Sequence, residues 1–283
     1  MHPQGASFDR DAAARERTDL WADIDADPST LRMLAKRGHV AITDGELWQN
    51  ELPESERAYL GRLLWADGQS RPVELRLVED ADANWSGLRE LVAHPDPVVT
   101  ELAVTAIALA NWRSSQRHCP ACGQPLEARS GGWVLGCVDC GTQVWPRTDP
   151  AIIVLIEDAE GRVLLGSNAT WEHNRYSLLA GFVEPGESLE AAVVREIAEE
   201  SGVLVTHPQY VGSQAWPFPQ SLMLGFRAQA ASVDVTPDGE EILDLRWFDR
   251  ESILTADILL PRRGSLARRM LEDWFGGSIE RHE

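Results

Sequence analysis

Cysteine is scarce in this chain: four residues, Cys119, Cys122, Cys137 and Cys140, stand close together among 283. So sparse a set excludes a scaffold stapled by many disulfides. Positive charge is also short, with 26 Lys and Arg against 45 Asp and Glu and a formal net charge of -19. Such a surface repels phosphates, which argues against general nucleic-acid or membrane affinity and leaves an anionic substrate to be met by metal or by a local basic patch. Long apolar runs are missing as well: no uncharged stretch reaches membrane-spanning length, and the N-terminus MHPQGASFDRDAAARERTDLWADIDAD lacks the apolar segment of a secretory signal. A cytoplasmic protein is therefore expected, with no membrane partner. What is present is ordinary globular material, 43% apolar and long enough for about two domains.

The cysteines read CPAC, a spacer from Gly123 to Gly136, then CVDC. Two CxxC knuckles at this separation suit a tetrahedral thiolate site for one Zn2+, with all four positions filled by protein and none left for chemistry. A metal there replaces the core that so short a segment cannot build. Disulfides are the alternative, disfavoured in a reducing compartment.

The stretch from Gly181 to Val203, GFVEPGESLEAAVVREIAEESGV, is the most informative. Ser188 is a natural N-cap, Glu190 sits where the helix dipole favours an anion, and Gly202 stops the helix in the left-handed conformation, so a helix over Leu189 to Ser201 is expected. Within it Glu196, Glu199 and Glu200 are spaced i, i+3, i+4, which stacks their carboxylates on one face. Val193 and Ile197, with Val194 and Ala198, form the apolar stripe. A solvated acidic face and a set of metal ligands both satisfy this pattern.

Gly181, Glu187, Arg195, Glu196, Ile197, Glu199, Glu200, Gly202 and Val203 fill every fixed place of the Nudix box, and on these residues the chain resembles the Nudix hydrolases. The resemblance implies a Nudix α/β/α sandwich with a mixed sheet, and cleavage of a nucleoside diphosphate linked to another group with Mg2+ or Mn2+ held by helix glutamates. Hard oxygen ligands suit Mg2+, which usually shares itself with substrate phosphates.

Taken in order, the segment from Met1 to about Asp27 is expected to be frayed or loosely helical. His39 to Trp48 is expected as a hairpin turning at Asp44-Gly45, and Arg57 to Trp65 with Val73, Leu75 and Leu77 as a second one. Asp96-Pro97 opens a helix to about Trp112 that presents Val98, Leu102, Ala106 and Leu109 on one face. After a ribbon from Arg117 to Val144, strands are expected at Ala151 to Ile156, Val163 to Leu165, Tyr176 to Val183, Ser221 to Ala228 and Ile242 to Phe248. A closing helix runs from Gly264 to Phe275, capped by Ser265. The resulting scheme has a small α+β N-terminal domain over 1-112, a zinc ribbon over 113-146 and a Nudix hydrolase domain over 147-283.

Specificity lies outside the box. Ser213 to Ser221, SQAWPFPQS, is similar to the SQPWPFPxS signature of the NADH pyrophosphatases, also known as hydrolases of NAD-capped RNA, and departs from it at Ala215. The two prolines stiffen a loop that presents Trp216 and Phe218, either to a flat base or to the protein's own surface. The resemblance implies hydrolysis of NAD(H) to NMN(H) and AMP, with 5′ NAD-capped RNA as a further substrate, by a homodimer using two or three divalent ions. It implies Glu196, Glu200, Glu241 and the Ala180 carbonyl as Mg2+ or Mn2+ ligands, with Glu199 as ligand or base. It further implies Arg89, Trp145, Phe182, Gln214, Ala215, Trp216, Pro217, Phe218, Pro219, Gln220, Ser221 and Ala267 as substrate-binding. Arg195 is expected to orient Glu187 or a neighbouring carboxylate. Two other readings stay open. RNA decapping as the main role would need a basic track, for which Arg262, Arg263, Arg268 and Arg269 are the dense candidate and a solvated helix surface the alternative; a non-catalytic zinc-ribbon interaction module with a vestigial Nudix fold is the second.

Overall fold

The computed structural model describes residues 5–49 and 52–280, and the chain divides into two units: Met1–Thr148 with Pro217–Gln220, and Asp149–Trp216 with Ser221–Glu283.

The first unit is built on strands β1 (Ala6–Asp9), β2 (Leu31–Lys36), β3 (His39–Ala41), β4 (Glu56–Trp65), β5 (Ser70–Leu77) and β6 (Trp85–Gly87), in the order β1-β4-β5-β2-β3-β6. Helix α1 (Leu20–Ala26) precedes β2, the single turn α2 (Leu88–Leu91) follows β6, and α3 (Pro97–Ser115) comes next. The β4–β5 hairpin is the second expected one, closed over Asp67 and Gly68. The first expected hairpin is different. Asp44 and Gly45 do adopt left-handed turn conformations, yet the turn closes on the single bridge Thr43–Glu46, while β3 pairs through Gly38 with β2 and on its far side with β6. Of the N-terminal segment expected to be frayed, residues 1–4 lie outside the described residues; the rest is ordered as β1, a 3-10 helix over Ala12–Glu16 and α1. β1 was not legible because its pairing with β4 is what makes it a strand.

Helix α3 opens as expected, with the Asp96 side chain accepting from the Val98 N–H at 2.9 Å and Pro97 in its first turn. It buries Val99, Leu102, Ala103, Ala106, Ile107 and Ala110, so Val99 rather than Val98 takes the core position. Strands β7 (Leu126–Arg129), β8 (Val134–Cys137) and β9 (Gln143–Val144) form a separate three-stranded sheet carrying the cysteines.

The second unit is a mixed sheet with a helix on each face. Its strands are β10 (Asp149–Glu157), β11 (Val163–Asn168), β12 (Leu179–Phe182), β13 (Val205–Trp216), β14 (Ser221–Ala230) and β15 (Ile242–Phe248). Helix α4 (Leu189–Ser201) lies between β12 and β13 in sequence, and α5 (Ser252–Thr255) and α6 (Leu266–Phe275) follow β15. The path runs β13-β14-β10-β11-β15, β10 being parallel to β14 and also paired with β12. Alternation along β10 creates the layers. Ile152, Val154 and Ile156 pack with Ala192, Val193 and Ile197 of α4, while Ile153 and Leu155 pack with Leu266, Met270, Leu271 and Trp274 around α6. Val194, expected in the α4 stripe, is exposed, and Ala192 is buried instead.

Two expectations are corrected. Only Leu179–Phe182 of the expected Tyr176 to Val183 strand is ladder; Tyr176 instead donates its N–H to Leu259 O at 2.9 Å, and Ser177 makes an isolated bridge to Gly166. Ser213 to Trp216, expected as a loop, ends the long edge strand β13. An edge tolerates Pro208 and the register shifts at 206–209 and 210–212, and these irregularities hid the strand.

Arg268 satisfies neither reading given to it from sequence. Its side chain is 1% exposed, with Nε on Glu272 at 2.9 Å, Nη1 on Pro261 O at 3.3 Å and Nη2 on Ile279 O. It is neither a solvated charge nor free for RNA. Arg268→Met is expected to destabilise the protein by about 3 kcal/mol, because the carbonyls and Glu272 lose their donor in a buried site. Urea denaturation of the variant and the parent measures it.

Candidate active site and cysteine cluster

The acidic helix forms as its caps dictate. Ser188 Oγ accepts from the Ala191 N–H at 3.2 Å, and Gly202 adopts φ 70 at the C-cap. Burying Ala192, Val193 and Ile197 turns Glu199 outward, leaves Glu196 half-buried and forces Glu200 inward to 5% exposure.

Arg195 is the hub of the carboxylates. Its Nε and Nη2 donate to Glu187 at 2.9 Å each, its Nη1 lies 2.9 Å from Glu196 Oε1 and 3.0 Å from Glu199 Oε2, and Nη2 also donates to Phe182 O at 2.9 Å. This places Arg195 on Glu187 and its neighbours as the sequence suggested. The guanidinium holds Glu187 below the usual carboxylate range. Glu196 is raised by burial against the pull of Arg195.

Glu200 is the most perturbed group. Burial, then the charges of Glu241, Glu196 and Asp238, push it up to about 8, although an Ala180 backbone hydrogen bond opposes the shift. Its Oε2 is buried with no hydrogen-bond partner. A lone pair left without a donor, on a carboxylate facing other carboxylates, is chemically compatible with a cation. Gly181 is required beside it, since a methyl group there would stand 2.0 Å from Glu196 Cδ.

Residues not foreseen hold the fourth carboxylate. Asp238 Oδ1 accepts from the N–H groups of Glu240, Glu241 and Ile242 at 2.8, 2.9 and 2.9 Å, shaping the entry to β15. Asn168 Nδ2 donates to Glu241 Oε1 at 3.2 Å, and the Ala169 N–H to Glu241 O at 2.8 Å. The sequence signal was slight: an Asx residue next to Gly239, where turns form.

The other candidates are spread across both units. In the second, Phe182 is 54% exposed, Ala267 and Ser221 are buried, and Ala215 is exposed. Gln214 is engaged by its own unit: Nε2 donates to Gly264 O at 2.8 Å and Oε1 accepts from the Leu266 N–H at 2.7 Å. In the first unit, Trp145 is 57% exposed and Arg89 stands 5.5 Å from the centre of the Phe218 ring. There Asn111, a lone amide in an apolar run and missed from sequence, donates Nδ2 to Pro217 O at 2.7 Å and Pro219 O at 3.1 Å, while its Oδ1 accepts from Gly38 N at 2.8 Å.

Among the described residues, one group brings three or more Cys, His, Asp or Glu ligand atoms within 4.8 Å of one another: Cys119, Cys122, Cys137 and Cys140. The thiols are free, and two Sγ pairs, Cys119–Cys140 and Cys122–Cys137, lie 3.5 Å apart. That is far beyond an S–S bond and close to the ~3.8 Å edge of a tetrahedron with ~2.3 Å metal–sulfur bonds. Each knuckle is closed in the same way, by Gly123 N on Cys119 O at 2.9 Å and Gly141 N on Cys137 O at 3.2 Å. Hydrogen bonds from the Thr142 hydroxyl and N–H bring the Cys140 thiol down to about 6.

A helix of this kind between the strands of a mixed sheet defines a class, and the description "NUDIX domain" matches residues 147–273. The NAD-capped RNA hydrolase NudC of Stutzerimonas stutzeri is 42% identical over 71% of this chain and 71% of its own length. Its namesake in Mycobacterium tuberculosis is 34% identical over 93% and 92%, and that in Pseudomonas syringae pv. tomato 34% over 89% and 91%. The chain belongs to the Nudix hydrolases, in the NudC family. No described helix is long and apolar enough to cross a membrane.

Burial makes a pH prediction. Glu200 binds its proton more tightly in the folded chain (about 8) than at its ordinary 4.5, so it supports the fold fully below 4.5 and costs stability as the pH climbs to 8. Without divalent cations, Glu200→Gln is therefore expected to be more stable than the parent at pH 8 and equal to it near pH 4. Urea denaturation at both pH values checks this, and a pH-independent difference contradicts it.

Proposed function

We propose that the protein hydrolyses the pyrophosphate of NAD(H) to NMN(H) and AMP, and acts on the NAD cap at RNA 5′ ends as a further substrate. The observation that carries the reading is the buried, partnerless Oε2 of Glu200 facing Glu196 and Glu241. Burial and neighbouring carboxylates raise the proton affinity of Glu196 and Glu200, a setting that suits Mg2+ or Mn2+, and in this reading Glu196, Glu200, Glu241 and the Ala180 carbonyl hold two or three such ions. When bound, those ions polarise the phosphoanhydride and lower the pKa of an attacking water.

The remaining roles belong to this chain's own side chains. Glu199, whose side chain is 60% exposed and tethered by Arg195, accepts the proton of the water. Arg195 pairs with Glu187, Glu196 and Glu199 and fixes their direction. Phe182 and Trp145 offer exposed aromatic faces to the flat rings of a dinucleotide, with Arg89, Ala267 and the segment from Gln214 to Ser221 shaping the rest. The amide of Gln214 serves in that segment by fixing the backbone at Gly264 and Leu266.

The cysteine cluster takes one structural Zn2+, supported by the spacing of its sulfurs. The scheme is an N-terminal domain over 1-112, a zinc ribbon over 113-146 and a hydrolase domain over 147-283, assembled as a homodimer in the cytoplasm. RNA decapping as the main role loses one element of its proposed basic track, because Arg268 is buried. The complete set of box carboxylates speaks against a vestigial, non-catalytic module.

AMP release from NADH is expected only with Mg2+ or Mn2+ present, and Glu200→Gln is expected to lower kcat by at least ~100-fold while leaving the fold and one Zn2+ per chain intact. Full activity in that variant overturns the assignment. Metal analysis of the purified protein checks the zinc, and substitution of Cys119 by Ser is expected to lower both zinc content and Tm.

A further inference from the structure

The first unit contains a cleft that the proposed hydrolysis does not use. It lies between the 3-10 helix Ala12–Glu16, the start of α1, strand β4 and the turn at 130–132, and encloses about 400 Å³. That volume falls in the ~300–1,000 Å³ range of small-molecule sites. In a chain of net charge -19, its lining includes Arg15, Arg17, Arg57 and Arg129 with Glu16 as the one acidic residue.

These arginines differ in their partners. Arg17 pairs with Asp19 and Asp23, and Arg57 with Asp25 and the fully buried Glu74. Arg15 and Arg129 make no ion pair among the described residues. Arg15 lies 3.8 Å above the Trp133 ring and gives one Nη2 hydrogen bond to Arg10 O at 2.9 Å, while its Nε is buried with no acceptor. Burial and the nearby Arg10 both act against its charge. A buried donor without an acceptor costs stability, and it marks the Arg15 side chain as poorly compensated by its own protein.

The cleft is held open by backbone contacts. A Cβ at Gly132 would stand 2.4 Å from Arg57 O, and one at Gly131 3.3 Å from the Arg15 side chain and Leu20; both glycines have positive φ. Trp133 Nε1 donates to Tyr59 O at 2.7 Å. The turn is thus docked on β4, and only glycine fits at 132.

We propose that this cleft is a second binding site, which takes a nucleoside monophosphate. Arg15 and Arg129 supply the fork-shaped donors that suit a phosphate monoester. The Arg57 guanidinium, 4.2 Å over the Trp21 ring, gives a flat cationic platform on which a base stacks. Thr18 and Ser55 line the same space, and their hydroxyls serve a ribose in this proposal. The space exceeds what a bare phosphate fills several-fold.

The test uses the full-length, zinc-replete Glu200→Gln protein without added Mg2+ or Mn2+, so turnover does not complicate binding. AMP, inorganic phosphate and a 5′-phosphorylated trinucleotide are titrated, read at the Trp21 and Trp133 indole resonances. AMP is expected to give a saturable shift, with affinity at least about tenfold (~1.4 kcal/mol) above that of inorganic phosphate and about tenfold above that for Arg129→Glu. Thr18→Glu, at an exposed position of the rim, is expected to weaken AMP likewise. A trinucleotide binding as tightly as AMP makes an RNA 5′ end the source of the monophosphate; weaker binding makes it the free nucleotide. No shift at millimolar AMP, equal affinity for inorganic phosphate, or unchanged affinity in both variants overturns the proposal. Because the active-site variant is used throughout, failure here leaves the hydrolase reading untouched, and failure of that reading leaves this result interpretable.

Discussion

Carboxylates gathered on one helix face repel one another, and in this protein a single guanidinium decides how they are arranged. Arg195 reaches Glu187, Glu196 and Glu199 together with the Phe182 carbonyl, so it ties the loop before α4 to the helix itself. The same cation does not reach Glu200, which is left facing Glu196, Glu241 and Asp238 in a buried position. Three carboxylates are thereby paired and fixed, while Glu200 keeps a buried oxygen with no donor. That division is what the proposed metal-dependent reading rests on.

The fold serves this arrangement through strand β10. Its alternating side chains bury α4 on one face and α6 on the other, so the acidic helix cannot roll without exposing Val193 and Ile197. Burying a Val or Ile side chain is worth roughly 1.5–3 kcal/mol, and Val193, Ile197 and Ala192 are buried together on this one face. Packing therefore wins over the preference of Glu200 for water. Gly181 completes the constraint by letting β12 pass against the Glu196 carboxylate where a methyl group would clash.

Helix α4 was legible to the residue because its determinants are local: a serine cap, an internal 3.6-residue rhythm and a glycine stop. The cysteine cluster was legible for the same reason, since CxxC spacing specifies its own turn. The β4–β5 hairpin and the central strand of the second unit followed from alternation and apolar runs. What stayed hidden depends on partners far away in sequence. β13 is a strand because β14 pairs with it, despite Pro208 and two register shifts; Asp238 and Asn168 matter because of where Glu241 falls. Arg268 resembled any other surface cation until the Pro261 and Ile279 carbonyls closed around it.

The four residues Pro217–Gln220 group with the first unit although they sit in the middle of the second unit's sequence. The border between the units is therefore crossed by the chain three times, and no single cut separates them cleanly. A fragment starting at Asp149 would carry those four residues without the Asn111 amide that donates to the Pro217 and Pro219 carbonyls. The turn at 217–220 is thus shaped by a side chain more than a hundred positions earlier, which ties the folding of the second unit's sequence to that of the first.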